Sequence, residues 1–390
     1  MTNGGLEVRD LTSADIDEVF AVRTRSFGRL NDALRDGWNA NLEQLILGRR
    51  AIGAFTGERL VAAAKGLSFQ QFWGGHPVPM TGIAGVVVEP AHRGRGVASS
   101  MLRALAERGV ELGDAVSALY PATVAPYRRN GWEVVGAQAR IAIDTHLLRG
   151  LDTGSVRVRP GEKADLDHVE ALLDRRYAAQ RANGPKLLSR VELEQALTDA
   201  DGFCYVAEDG FVLYEWDDHT LVVTCLVAHS EATARALWAV VGTGSSIART
   251  VHAYVSPDDP IHLLLPEEAS HDVHLERWML RILDAPRAVA ARGYAEHLSG
   301  AARLSITDPM RESHSGEWVL EVDAGRGTLT RDAAGGAALQ VGPNGLAALY
   351  AGTPVHTLRA AGLAGGGSPE GDAFLDAAFG GTPAYLLEYF

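Results

Sequence analysis

The sequence predicts a mixed α/β chain: two α/β units in tandem, then a smaller α+β unit. Three observations carry this. The 390 residues exceed what one hydrophobic core organises. A Val-rich strand runs into a Gly/Arg turn and then a helix over residues 85–110. The opening pattern also restarts after residue 155. Glu7-Val8-Arg9-Asp10-Leu11, followed by Ala14-Asp15-Ile16-Asp17, is echoed by Val156-Arg157-Val158-Arg159-Pro160, followed by Ala164-Asp165-Leu166-Asp167. That is the signature of an internal duplication.

Each element follows from local signals. Residues 7–9 form a short strand, and Thr12 and Ser13 open a helix. Asp15 and Asp17 in its first turn complement the helix dipole. Residues 39–47 are helical, and 50–56 with 59–70 form a hairpin about Gly57-Glu58. Residues 80–89 are a strand, 99–110 its helix, and 116–120 a parallel strand reached by that crossover. Residues 132–135 and 139–143 close a first unit of 1–150. A second unit covers 151–275 and a third 276–390. In the third, 278–284 lead into a helix ending near Gly293. Residues 303–308, 317–322 and 327–330 alternate as half-buried strands do. Residues 343–351 are a helix closed by Gly352. Residues 365–368 read as a flexible turn and 374–379 as a short helix.

Composition narrows the function. Lys and Arg number 36 against 49 Asp and Glu, a net charge of −13. This disfavours nucleic acid as a partner and is weakly compatible with a cationic small molecule. No apolar run is long enough for a bilayer span, so no membrane role is expected. Residues 1–10 lack a basic-plus-apolar signal. Cys204 and Cys225 lie in apolar strand contexts and read as buried inert thiols in a reducing cytoplasm. His262, His271 and His274, with Glu267 and Glu268, lack a helical His-x-x-x-His pair. No metal site is expected there.

The segment from Gly85 to Ala98 has the order of a pyrophosphate socket. N–H groups in the first turn of a helix have no intrahelical partner and carry the positive end of the dipole. Gly94 and Gly96 admit close approach of a ligand to the backbone. Arg93 and Arg95 add charge-assisted hydrogen bonds. No Lys-Ser/Thr follows, so this is not a P-loop, and the glycine spacing is wrong for a dinucleotide fingerprint.

The string Arg93-Gly94-Arg95-Gly96-Val97-Ala98 after a Val-rich strand is similar to the acetyl-CoA loop of the GNAT N-acetyltransferase superfamily, Arg/Gln-x-x-Gly-x-Gly/Ala. The resemblance implies acetyl-CoA as cofactor. Val86, Val87 and Val88 would pair with the pantetheine amides as an added strand does. The loop, Ser99, Ala122 and Thr123 would line the rest of the cofactor. The corresponding crossover of the second unit reads Leu-Val-Ala-His-Ser-Glu-Ala-Thr over 226–233. Without glycines it implies a degenerate, structural copy.

The third unit resembles the sterol carrier protein fold, and the chain stops on Tyr385-Leu386-Leu387-Glu388-Tyr389-Phe390. Over its whole length the chain is similar to the enhanced intracellular survival (Eis) family of actinobacterial N-acetyltransferases. That resemblance implies tandem GNAT folds, a homohexamer, and amine acceptors that include aminoglycosides. The family's acid motif, Tyr-x-Arg/Lys-x-Gly-[Tyr/Trp/Phe], is here Tyr127-Arg128-Arg129-Asn130-Gly131-Trp132. The family's base is the terminal carboxylate, here that of Phe390. Two departures bear on the substrate. Pro121-Ala122-Thr123 stands where broadly active members tend to have Ser-Glu, and the tail's acid is Glu388 while Tyr389 is penultimate.

The chemistry explains the residue types. A lysine-like amine of pKa near 10.4 is neutral in about one molecule in 2,500 at pH 7, a cost of roughly 4.6 kcal/mol. A base must offset part of it. A terminal carboxylate of pKa about 3.5 is weak for this unless buried or bridged by water. A tyrosine can protonate the departing thiolate, and Tyr127 is placed at the N-terminal end of a short helix. The apolar tail is expected to dock. On the acceptor side, Trp38 offers an aromatic wall, and Asp32 or Asp36 either bind ammonium groups or lie on a solvated helix face. Glu388 travels with the tail and is the better ammonium partner. Two rival readings stand: a protein lysine N-acetyltransferase, and a hydrophobic-ligand binder acting through the third unit.

Overall fold

The computed structural model describes residues 5–199, 201–265, 272–332 and 334–390. The side chains of residues 32 and 33 also lie outside that description, so the Asp32 expectation does too, as do Glu267, Glu268 and His271. Twelve described strands form one sheet. In chain order they are β1 (Leu6–Asp10), β2 (Ala51–Thr56), β3 (Arg59–Trp73), β4 (His76–Val88), β5 (Val116–Leu119), β6 (Glu133–Asp144), β7 (Arg159–Pro160), β8 (Gly202–Ala207), β9 (Gly210–Asp217), β10 (Thr220–Ala228), β11 (Thr250–Val255) and β12 (Val273–Ile282). Their spatial order is β1-β2-β3-β4-β5-β12-β6-β11-β10-β9-β8-β7.

The duplication is visible in side chains as well as in topology. Asp15 accepts two bonds from Arg9, each 2.9 Å, and one from the Thr12 N–H at 2.7 Å. Asp165 does the same with Arg159, at 2.7 and 2.6 Å, and with the Glu162 N–H at 2.9 Å. In both units the bonded arginine holds the carboxyl down to about 2.

The two units share one sheet because β6 pairs with β11 along Asp144–Ala139. β12 inserts between β5 and β6, antiparallel to both. The third unit is a five-stranded sheet, β13 (Gly300–Ile306), β14 (Gly316–Asp323), β15 (Arg326–Arg331), β16 (Leu339–Val341) and β17 (Ala364–Gly366), in the order β15-β14-β13-β16-β17. Its core is continuous with the first unit's: Leu304, Leu320, Leu346 and Phe379 cluster with Trp73, Val78, Met80 and Trp278.

Several elements differ from expectation. The second helix spans Asp32–Leu47, starting earlier because the Asn31 side chain accepts from the Leu34 N–H at 2.9 Å and caps it. Residues 132–143 hold one strand in place of two. The glycine stretch is not simply a turn, since Ala364–Gly366 pairs with β16. The last helix begins at Pro369, capped by Ser368. Cys204 and Cys225 are buried, and burial pushes both thiols up to about 12. No helix among the described residues is long and apolar enough to cross a membrane.

Candidate active site

β4 and β5 pair in parallel over three residues only: Met80 with Val116, Thr81 with Ser117, Gly82 with Ala118. β5 then ends, while β4 continues to Val88 with β3 alone. The β5-facing edge of Ile83–Val88 thus faces a wedge-shaped gap, its backbone groups short of the Val88 carbonyl free to pair with an extended ligand. A bulge sets two β4 residues, Gly85 and Val86, against Ala64, with Gly85 at φ +58°. Val86 and Val88 face the helix Val97–Glu111, and Val87 faces the opposite side.

At the end of β4 the chain turns through Arg93, Gly94, Arg95 and Gly96, all exposed. Gly94 (φ +74°) and Gly96 (φ +82°) are left-handed, and an added Cβ would meet open space at either. Gly96 is the N-cap of Val97–Glu111 and brings no side chain of its own. The first-turn amides of Val97, Ala98 and Ser99 therefore await an external acceptor. Arg93 donates to the Val88 carbonyl at 3.1 Å, holding the turn against the strand.

The chain's last residues fold into this gap. Leu386 N–H donates to the Ala137 carbonyl at 3.4 Å, and Gln138 donates to the Leu387 carbonyl at 2.6 Å. Tyr385, Leu386 and Leu387 are buried. Tyr120, just past β5, donates its hydroxyl to the Glu388 carbonyl at 2.9 Å and stacks on Tyr389, centroids 4.4 Å apart. Phe390 lies edge-on to Phe69 at 5.1 Å and to Tyr120 at 5.6 Å, against Gly82. Tyr127 belongs to the helix Val124–Arg129, in its second half and not at its N-terminal end. Its hydroxyl is raised above the ordinary phenol value by burial, with nearby Tyr389 adding to the shift. It stays protonated, a hydrogen-bond donor at neutral pH. Thr123 holds that helix's N-cap position without a side-chain capping bond, and Ala122 is exposed beside it.

These geometric features agree with the comparisons. Residues 7–135 match an acetyltransferase (GNAT) domain, 188–282 a second acetyltransferase (GNAT) domain, and 285–387 a sterol carrier protein domain. A GCN5-related N-acetyltransferase from Kribbella flavida superposes with a TM-score of 0.96 at 48% identity, covering 99% of this chain and 98% of that one. The chain belongs to the GCN5-related N-acetyltransferases. N-acetyltransferase Eis of Mycobacterium tuberculosis is 28% identical over 335 residues, 79% of this chain and 80% of that protein. Eis1 from Mycobacterium abscessus shares the fold, with a TM-score of 0.76 at 23% identity, over 99% of this chain and 100% of that one. The acetyltransferase thus has the Eis-type architecture expected from its sequence: two GNAT units and a sterol carrier unit.

The second GNAT unit of this acetyltransferase keeps the wedge but fills it. β10 and β11 pair in parallel over three residues, Leu221–Val223 with Val251–Ala253, the same extent as β4 with β5. Beyond them the buried Arg176 donates to the Leu226 carbonyl, the backbone group a ligand would need, and to Asp259 at 3.4 Å. At the following helix, Glu231–Gly242, the Ser230 side chain caps the Thr233 N–H, Asp209 accepts from the Thr233 hydroxyl, and Glu231 opens the first turn. Acidic charge there repels an anion.

Several residues around the docked tail of the acetyltransferase carried no sequence signal. Phe69, Gln138 and Lys186 come from far apart in the chain. Tyr120 had one, an aromatic at the end of the strand after the cofactor helix. Lys186 is buried, pairs with Glu192, and lies 4.5 Å over the Phe69 ring. Trp38 is half-buried, edge-on to Phe20 at 5.3 Å, and Asp36 is exposed. Glu388 turns inward. Its Oε2 is buried without a hydrogen-bond partner among the described residues. Burial pushes its carboxyl up to about 7, against the pull of the Lys186 ammonium. An acid raised in the folded state costs nothing below its unfolded value and its full amount above the folded one. Stability therefore falls by about 2–3 kcal/mol between pH 5 and 8 on account of Glu388. Glu388→Gln should flatten that slope in urea titrations across this range. A wild-type-like slope in the variant would refute it.

Proposed function

We propose that the protein transfers the acetyl group of acetyl-CoA to a primary amine, with Tyr127 as general acid. One observation carries the reading: the tail seats Tyr389 and Phe390 at the β4/β5 gap, beside Tyr120 and Tyr127. The gap fits the cofactor's chemistry. It offers an unpaired strand edge at Val86, Val87 and Val88 for the pantetheine amides. The uncapped amides of Val97, Ala98 and Ser99, with Arg93 and Arg95, suit the pyrophosphate. Bound there, acetyl-CoA supplies the activated acyl thioester.

Tyr127 gives its hydroxyl proton to the departing sulfur, by a bond that strengthens as charge develops. The base on the acceptor amine is the Phe390 carboxylate in the family's pattern. A second reading is favoured by Glu388: a buried carboxyl near 7, with one oxygen unpartnered among the described residues, matches the operating pH better than a terminal carboxylate does. A cationic amine, with aminoglycosides as one class, is supported by the same Glu388 and by the net charge of −13. A cytoplasmic setting suits the buried thiols, and a homohexamer is carried over with the family reading.

Calorimetry with CoA and a thiol-release assay on an amine panel test this. The wild type should bind CoA. Gly96→Val, forcing a β-branched residue into a left-handed turn, should weaken CoA binding by about tenfold. Fatty-acid binding without CoA binding would replace the reading by that of a lipid carrier.

A further inference from the structure

A cavity of about 220 Å³ lies between the first two helices, Ile16–Phe27 and Asp32–Leu47, and the bulge of β4. It meets Gly85 and Val87, and its walls include Phe27 and Trp38. Its charged lining is Arg23 and Lys65, with no carboxylate among the described residues. Arg23 donates to the Gly28 carbonyl at 2.7 Å, and Lys65 makes no ion pair among the described residues. The Lys65 ammonium sits 5.9 Å over Trp38. The nearby acids are engaged elsewhere: Glu18 accepts from the Leu60 N–H, Asp17 pairs with Arg35, and Glu89 with Arg25 and Arg59.

The cavity shares a face of the sheet with the chain terminus. Thr81 and Ile83 turn toward the helix Val97–Glu111. Gly82 turns the other way and is covered by Phe390. Gly85 and Val87, past the bulge, also turn that way, into the cavity. Gly82 and Gly85 are about 10 Å apart along the strand. A six-carbon chain with a group at each end is about long enough to span the distance from Phe390 to Lys65.

We infer that this cavity takes the anionic end of a zwitterionic acceptor, an amine that also bears a carboxylate-type group, and that it discriminates against a second ammonium. The inference rests on the acetyl-transfer reading and narrows its substrate class from cationic amines at large, polyammonium aminoglycosides included, to amines that carry an anionic group. An arriving anion finds two cationic donors in an apolar, half-enclosed site, where charge-assisted bonds are strong. A second ammonium in the same place meets two like charges, and repulsion is what makes such a site selective. Burial, and then Arg23, hold Lys65 below the ordinary lysine value, so an anion relieves both at once. Glu388 and the terminus stay available to the reacting amine.

The test is a series of equal length and different charge: 6-aminohexanoate, 6-amino-1-hexanol and 1,6-diaminohexane, in the thiol-release assay. The carboxylate should exceed the alcohol in kcat/KM by about tenfold, with the diamine below both. Lys65→Met with Arg23→Gln should erase that order while leaving CoA affinity unchanged. A diamine that leads in the wild type, or an order the double variant does not alter, overturns the inference. A turnover-free arm uses thermal shift of the CoA-bound protein. Hexanoate should stabilise the wild type and not the double variant, and no hexanoate effect on the wild type also overturns it. Failure of CoA binding would instead sink the acetyl-transfer reading.

Discussion

Tyr127→Phe should lower kcat about 10²- to 10³-fold and leave CoA affinity unchanged. The substitution removes one hydroxyl and keeps the half-buried ring, so the site stays packed and only proton delivery to sulfur is lost. Because Tyr127 is held above the ordinary phenol value, its ionisation does not limit activity near neutrality. The acidic limb of the pH profile then reports the base. With Glu388 as base the limb lies near pH 7, and Glu388→Gln removes it. With the Phe390 carboxylate as base, one residue added after Phe390 abolishes turnover while Glu388→Gln retains it. Stopped-flow thiol release in the Tyr127 variant decides the first point, and wild-type turnover there would sink the general-acid role.

The parts legible in the sequence are those whose geometry is local. The phosphate turn is a strand, four residues and a helix start, all contiguous, so Gly94 and Gly96 could be assigned close approach to a ligand from order alone, while their left-handed backbone came with the structure. Tyr127 sits in a contiguous motif. The repeat of residues 7–17 at 156–167 is likewise contiguous, although it showed Asp15 as a helix-dipole partner and not its bond to Arg9. What stayed hidden is non-local. Nothing near Trp278 says that its strand inserts between β5 and β6, more than a hundred residues earlier in the chain. Arg176 reads as one more helical arginine until the fold sets it in the second wedge. Lys65 and Arg23 lie on different elements and meet only through packing. The late start given to the second helix reflects its polar first turns, where a cap at Asn31 outweighs weak propensity.

Asp308→Ala should destabilise the protein by about 3–5 kcal/mol, and the reason reaches the Tyr127 motif. Arg281, on β12, donates to both oxygens of Asp308, at 3.0 and 2.7 Å, and to the Asn130 carbonyl at 3.0 Å. Both side chains of the pair are only 2% exposed. Removing the carboxylate leaves a buried guanidinium uncompensated. Neighbouring His314 offers no substitute, since burial and Arg311 hold it down to about 4 and it is neutral. The motif's glycine follows from the same contact. Gly131 has φ +87°, and a Cβ there would lie 1.6 Å from Arg281 Nη1. Arg281 thus fixes the turn after Tyr127, whose carbonyl accepts from Asn130 N–H at 2.9 Å and Trp132 N–H at 3.1 Å. Asn130 in turn reaches Ser99 on the cofactor helix at 3.0 Å. Loosening Asp308 should therefore cost kcat in protein that is still folded, while Asp308→Asn, which keeps an acceptor, costs less of both. Urea midpoints at unchanged m-value, read beside kcat under native conditions, check it. An alanine variant within about 1 kcal/mol of wild type would show that the guanidinium finds other partners, and that the turn does not depend on the pair.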